Sequence, residues 1–345
     1  MLLKSLQLQG DTLNIVITGG AGFLGARLAR ELLALGQVSL AGAAPQTIAC
    51  ISLVDRASPP ADLAADTRIR SVVGDLNDLL ASNSAQGPVV REQDAVVFHL
   101  AAAVSGECEA NFDLGMRSNV DATRALLEAC RALKTCPTVV FASSLAVFGN
   151  SAAQPLPEVI DDHTLPTPQS SYGIQKFIGE QMVADYGRKG FIRARNLRLM
   201  TVSVRPGKPN GAASSFLSGM IREPLAGLSG ACPVAAETPV ALSSPERTIE
   251  GLVCALQASD EKWGARTAMN LPALSTSAGE MAKALERLAG ASTAAKIDWT
   301  PDPAIIKIVT SWPSKIDAGR ARALGLLPDT DFDSIVAAYM RENPG

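Results

Sequence analysis

The sequence predicts an α/β protein, a doubly wound parallel sheet followed by a smaller, α-rich C-terminal domain. Three observations carry that prediction. From residue 13, short β-branched runs alternate with stretches of helical periodicity, the pattern of successive β-α-β units. A glycine turn joins the first run to the first helical stretch. Finally, 47% of residues are hydrophobic but only 4% are aromatic, so the core is aliphatic and alanine-rich, as where helices cover both faces of a parallel sheet. At 345 residues the chain has room for one large domain or two modest ones.

Leu13 to Thr18 (LNIVIT) reads as a buried strand, and Phe23 to Leu35 as the helix after it, with apolar residues at helical spacing. Ile51 to Val54 is the second strand. The stretch from Gly36 to Ala49 is longer than a usual helix-to-strand connection and reads as an insertion. Ser71 to Val73 is a short third strand, and Ala95 to Leu100 (AVVFHL) a fourth, continuous enough to be buried on both faces. A helix over Leu114 to Leu133, a strand over Thr138 to Ala142, a helix over Ser170 to Arg188 and a strand over Arg195 to Val204 complete the pattern. Right-handed crossovers between parallel neighbours then place helices on both faces. Beyond Arg205 proline and glycine recur and strands become sparse, so residues 1–204 are expected to form the sheet domain and residues 205–345 the smaller one. Val240 to Leu242 is a strand, followed by Ser244 as a helix cap and Pro245 at the first helical position. Residues 240–258 are expected to return to the large sheet.

Charge and composition exclude several functions. A net charge of −3 provides no basic field for nucleic acid or for anionic membrane. Two histidines, His99 and His163, are too few for a histidine-rich metal site; no metal is expected, and acid/base chemistry near neutral pH falls to another residue type. Six cysteines lie scattered with no C-x-x-C pair, which reads as reduced thiols. Met1 to Thr12 has one cation and no apolar stretch of signal-peptide length, and no segment reaches the ~18 apolar residues of a spanning helix. A cytoplasmic protein is expected.

The glycine turn reads Thr18-Gly19-Gly20-Ala21-Gly22-Phe23-Leu24-Gly25. Between a strand and a helix, Gly19 and Gly22 let backbone approach a pyrophosphate whose charge rests on the helix N-terminus, while Gly25 lets the helix pack close to the strand, as in a Rossmann domain. Asp55, ending the second strand, is placed to accept a hydrogen bond from a ribose 2′-OH and to repel a 2′-phosphate, which favours NAD; Arg56 beside it would accept that phosphate and leaves NADP open. Asp75, after the third strand, is placed either to meet an adenine edge or to cap a helix.

Tyr172 and Lys176 are four apart at the start of a helix and share one face. A tyrosine acting as a base must lower its pKa from ~10 to near 7, which takes about 4 kcal/mol. One ammonium ~4 Å away at an effective dielectric of ~20 supplies about that much. Ser144, after the fifth strand, is placed to hydrogen-bond the substrate oxygen, with Ser143 beside it.

These residues resemble the extended short-chain dehydrogenase/reductases, the NAD-dependent epimerase/dehydratase group. Thr18 to Gly25 is similar to that family's TGxxGxxG turn. The resemblance implies cofactor contacts by Phe23 and Leu24, by Asp75 and Leu76 at the adenine, and by Leu100, Ala101 and Ala102 at a strand end. Asn119 matches the family's helix asparagine. Ser144 would be the catalytic serine, Tyr172 the base, and Lys176 the lysine that also holds the nicotinamide ribose. Dehydratases of the family carry adjacent acids after the catalytic Ser/Thr; here Leu145 and Ala146 follow, leaving no acid to expel water. Phe148 stands where the family usually has tyrosine. The family also implies a homodimer through the helices containing Asn119 and Tyr172; Ala125, Leu126, Leu127 and Ile178 fit such an interface and fit internal packing equally.

Arg205 and Lys208, with Asn210, Ser214 and Ser215, crowd the exit of the sixth strand, where ligands bind in such sheets. Cations and small donors there would clamp a carboxylate and hydroxyls, unless they are solvated loop charges. Ser105 and Glu107 are further candidates for hydroxyl contacts, while Cys108 reads as packing. The expected activity is oxidation of a secondary hydroxyl of a small sugar acid by NAD. A nucleotide-sugar epimerase with tightly held NAD and a non-catalytic NAD sensor are the alternatives.

Overall fold

The computed structural model describes residues 12–81, 87–209 and 211–344. The expectation for the N-terminal stretch, apart from Thr12, and that for Asn210 lie outside the described residues.

The large sheet is built on β1 (Thr12–Thr18), whose alternation settles both of its faces. Leu13, Ile15 and Ile17 meet Leu28 and Leu32 of helix Phe23–Leu35 on one side, and Val16 meets Val97, Leu126 and Val183 on the other. The predicted insertion is a hairpin. β2 (Gln37–Ser39) runs antiparallel to the first residues of β3 (Pro45–Asp55), and Ala41 (φ 51°) and Gly42 (φ 79°) turn the chain between them. The second parallel strand is therefore 11 residues long, well beyond the four read from its apolar run. β4 (Ile69–Val73), β5 (Asp94–His99), β6 (Thr138–Ser144) and β7 (Arg193–Leu199) follow in parallel, giving the order 4-3-1-5-6-7. Thr18 is in register with Val54 on one side and His99 on the other. From this point the chain winds outward in both directions, so the crevice beyond these three strand ends is the switch point where ligands bind.

The strand predicted to run to Val204 ends at Leu199. The chain crosses into a second, three-stranded sheet, where β8 (Thr201–Val202) begins. β9 (Gly230–Ala231) later pairs with β13 (Ile297–Asp298). β10 (Pro239–Ser243) pairs parallel with β8, so the strand at Val240 to Leu242 does not return to the large sheet. The helix after it, Pro245–Gln257, does return: Ile249, Leu252 and Leu256 share the core of Leu28 and Leu32. Unanticipated is β11 (Met269–Asn270), which extends the large sheet beside β7. β12 (Leu274–Ser277) completes the three-stranded sheet and β13 (Ile297–Asp298) the two-stranded one. A second apolar core, with Leu217, Ile221, Met281, Leu285, Phe332 and Val336, holds the C-terminal helices together.

The helix predicted over Leu114 to Leu133 is helical throughout but contains a π turn at Met116–Asp121 between Phe112–Gly115 and Ala122–Leu133. Leu126 and Leu127 are fully buried within the chain, so internal packing, not a subunit interface, accounts for them. Among the described residues no helix is long and apolar enough to cross a membrane, and no group of His, Cys, Asp and Glu is arranged to hold a metal ion.

Candidate active site

A cavity of about 510 Å³ opens at the switch point and runs from Asp55, Arg56 and Asp75 to Ser144, Tyr172, Arg205 and Ser214. At its first end the wall is mostly backbone. Gly19 has φ +71°, and a Cβ on it would lie 2.9 Å from Ala101 N. At Gly25 a Cβ would lie 2.1 Å from Gly19 O, so both positions require glycine. The helix N-cap, Gly22, offers no side chain to the first N–H groups of helix Phe23–Leu35, which leaves them for an anion. Asp55 accepts from Ala21 N (3.1 Å) and Ala57 N (3.1 Å), which ties β3 to the glycine turn. Asp75 caps a short helix through Asn77 N (3.0 Å) and also lines the cavity. It also holds Arg56 (2.7 Å) and Arg117 (3.3 Å), so the guanidinium that left NADP open is already engaged. Phe23, Leu24, Leu76, Leu100, Ala101 and Ala102 line this part of the cavity.

Two interior groups set the strand ends. Thr123 donates to Asn119 O (2.7 Å), so its hydroxyl accepts from His99 Nε2 (2.9 Å), and Thr18 then donates to Nδ1 (2.7 Å). Both ring nitrogens are committed, and burial, reinforced by the Lys176 charge, pulls His99 down to about 3; it is a neutral structural bridge. Asn119, expected at the cofactor, does not line the cavity. From the π turn it brackets Ala103, accepting from its N–H (2.8 Å) and donating to its carbonyl (3.2 Å), and so shapes the wall from behind.

The catalytic candidates come together through one close approach. Ser170 caps helix Ser171–Arg188 by accepting from Gly173 N (3.1 Å), and a Cβ on Gly173 would lie 2.1 Å from Ala146 O. Only glycine lets this helix press against the turn after β6, which brings Tyr172 into the same cavity wall as Ser144. Lys176 donates to Ala142 O (2.9 Å) and lies 5.8 Å from the Tyr172 ring centroid. The electrostatics differ from the sequence arithmetic. Burial pushes Tyr172 up to about 12, and the groups acting against it are the neighbouring Ser144 hydroxyl and the Arg205 charge, not Lys176. Burial also pulls Lys176 down to about 8, opposed by Cys108 and Glu180. The simple pair model fails because both groups lose water, and desolvation disfavours a phenolate and an ammonium alike.

Ser143 lines the cavity, yet its hydroxyl is committed to Glu180 (2.5 Å), itself in a buried bidentate pair with Arg198. Ser105 lines the cavity and accepts from Ala213 N (2.9 Å), which pins the loop carrying Ser214. Arg205 is half-buried in the wall, 3.5 Å from Ser214 Oγ. Among the described residues it has no carboxylate within ion-pair distance. Lys208 is exposed and away from the cavity, and Ser215 sits at the start of helix Phe216–Leu225 outside the lining. Cys108 is fully buried, and burial raises its thiol to about 11, as packing requires. Sequence reasoning missed Thr201 and Trp312, both in the lining. Thr201 was hidden inside an over-long strand, and Trp312 stands in the proline-rich tail with no motif around it.

The sequence profile of the NAD dependent epimerase/dehydratase family matches residues 15–240. The chain is 48% identical to D-erythronate dehydrogenase of Cupriavidus necator over 96% of its length and 98% of that protein, and 39% identical to D-erythronate dehydrogenase of Haemophilus influenzae over 95% and 99%. Among solved structures it is similar to a nucleoside-diphosphate-sugar epimerase of Agrobacterium tumefaciens, with 36% identity, a TM-score of 0.84 and coverage of 96% and 94%.

Proposed function

The chain belongs to the NAD-dependent epimerase/dehydratase family, and on that premise we propose that it is an NAD-dependent dehydrogenase that oxidises a secondary hydroxyl of a short sugar acid of the D-erythronate type. The near full-length likeness to two D-erythronate dehydrogenases supports the substrate class. The observation that carries it within the site is Arg205, a half-buried cation without a carboxylate partner among the described residues, lining the same cavity as Ser144 and Tyr172. A guanidinium so placed suits a substrate carboxylate bidentately.

The residues at the glycine turn fit NAD: a side-chain-free cradle at a helix N-terminus for the pyrophosphate, Asp55 for the ribose, and Asp75 and Leu76 beyond it. When bound, NAD supplies the hydride acceptor and a positive charge. Arg205 holds the acid, and Ser144 fixes the substrate hydroxyl against Tyr172. Tyr172 takes the hydroxyl proton as a phenolate, so its pKa must fall from about 12. Lys176, held by Ala142 O, keeps a donor and a positive charge near the ring and would hold the nicotinamide ribose. Asn119 acts from behind the wall, and Ser143, in the lining, has its hydroxyl committed to Glu180.

The assembly is read as a homodimer through the helices carrying Asn119 and Tyr172, where Ile174 and Phe112 are left exposed at 47% and 61%. All six cysteines are free thiols, in keeping with a cytoplasmic place. Mixing the protein with NAD and a panel of four-carbon sugar acids tests the activity. Appearance of NADH with erythronate or a stereoisomer supports the reading. No NADH with any acid, together with binding of a nucleoside diphosphate sugar, would favour an epimerase, the activity named for the Agrobacterium structure.

A further inference from the structure

We infer that Trp312 is a specificity-determining residue that sets the length of acid the site accepts, an inference resting on the sugar-acid reading above. The family match covers residues 15–240, and that stretch contains the glycine turn, Ser144, Tyr172, Lys176 and Arg205. Trp312 lies outside it and still lines the cavity. It packs against the small apolar cluster formed by Leu145, the neighbour of Ser144, Met200, where the chain leaves β7, and Ala241. Its place is therefore defined relative to the reacting end of the site.

The backbone around Trp312 is fixed on both sides. Asn150 N donates to Ser311 O (2.7 Å), Ile160 N donates to Lys315 O (3.0 Å), and Asp317 N donates to Ile160 O (2.7 Å). The segment is thus laced to the loop that follows β6, and the indole is a wall, not a loosely hanging side chain. It also belongs to the second apolar core, through contact with the cluster of Leu217, Ile221 and Phe332. A side chain needed only for that core would have no surface on the cavity. With the carboxylate at Arg205 and the reacting hydroxyl at Ser144 and Tyr172, the far end of the substrate meets this indole, whose rigid face cannot yield to an added hydroxymethylene group. Fit of a single methylene in such a pocket changes kcat/KM by roughly 10- to 200-fold.

The test compares four-, five- and six-carbon aldonic acids as substrates of the parent, Trp312→Ala, Trp312→Leu and Trp312→Phe, with KM for NAD measured in each. The six- to four-carbon ratio of kcat/KM is expected to rise at least tenfold in Trp312→Ala, and about threefold in Trp312→Leu, which keeps an apolar side chain against the cluster of Leu145, Met200 and Ala241. Trp312→Phe, which retains an aromatic wall, is expected to stay within twofold of the parent ratio, and KM for NAD to stay within twofold throughout. An unchanged length profile in Trp312→Leu at unchanged KM for NAD, or an equal loss on every acid, overturns the inference. If the parent oxidises none of the acids, the sugar-acid reading itself fails, which is a separate result.

Discussion

At the glycine-turn end of the cavity the wall is mostly backbone, and its members lie close in sequence to a strand end: Gly19 after β1, the Asp55 carboxylate at the end of β3, Ala101 after β5. At the opposite end the wall is side chain, and its members come from far apart: Ser144, Tyr172, Arg205, Ser214 and Trp312. On the proposed reading, the first end takes a cofactor common to the whole family largely through backbone held by glycines, and the second takes a particular substrate with side chains that change one at a time. The cavity thus joins a part that is rigid by geometry to a part that is adjustable by chemistry.

The sharpest way to separate the two ends is Tyr172→Phe. Loss of the proton acceptor is expected to lower kcat by on the order of 10²- to 10⁴-fold, while NAD affinity, measured by calorimetry, stays within a few-fold. Retained turnover would remove Tyr172 from the mechanism. Next is Arg205→Met, which deletes a charge-assisted contact of about 1.5–3 kcal/mol. It should raise KM for the acid on the order of 10-fold to 10²-fold, with KM for NAD unchanged, and the preference for the acid over the corresponding uncharged polyol should collapse. Persistence of that preference would place the carboxylate elsewhere.

The converse experiment is Gly19→Ala. A β-carbon at φ +71°, 2.9 Å from Ala101 N, carries about 1–2 kcal/mol of backbone strain, and NAD affinity is expected to fall about tenfold with KM for the acid nearly untouched. Equal effects on both ligands would show that the two ends do not act independently. The smallest effect on activity is expected for His99→Gln, which changes stability. His99 titrates at about 3 in the fold against an ordinary 6.5, so below pH 6.5 the unfolded chain takes up a proton that the folded chain does not. The stabilisation is complete above pH 6.5 and falls toward pH 3, by about 1.4 kcal/mol per pH unit. The variant should show a shallower loss of melting temperature between pH 6.5 and 5; an unchanged slope would point to other groups.

The first strand, its glycine turn and helix Phe23–Leu35 were legible because apolar period, turn glycines and cap act within a few residues of one another. Tyr172 and Lys176 were legible for the same reason, since four residues on a helix define one face. The hairpin at Gln37–Ser39 and the break at Met200 were not, because period-2 alternation marks a strand without naming its sheet. Lys208 looked equivalent to Arg205 in sequence, yet one is solvated and the other lines the cavity; three residues of irregular loop carry no periodicity from which to infer direction.

By itself, then, the sequence determined the parallel sheet, the glycine turn between its first strand and helix, and the placing of Tyr172 and Lys176 on one helix face, all of which depend on local spacing and on chemistry intrinsic to the residue type. Tertiary structure alone decided how the two hydroxyls are used, Ser143 donating to Glu180 while Ser144 accepts from Ala146 N and lines the cavity beside Tyr172. It also decided that burial, and not the neighbouring lysine, dominates the Tyr172 titration, and that a tryptophan 168 positions beyond Ser144 stands in the same wall. Desolvation and contact are properties of the space around a group, and that space exists only once distant segments have packed.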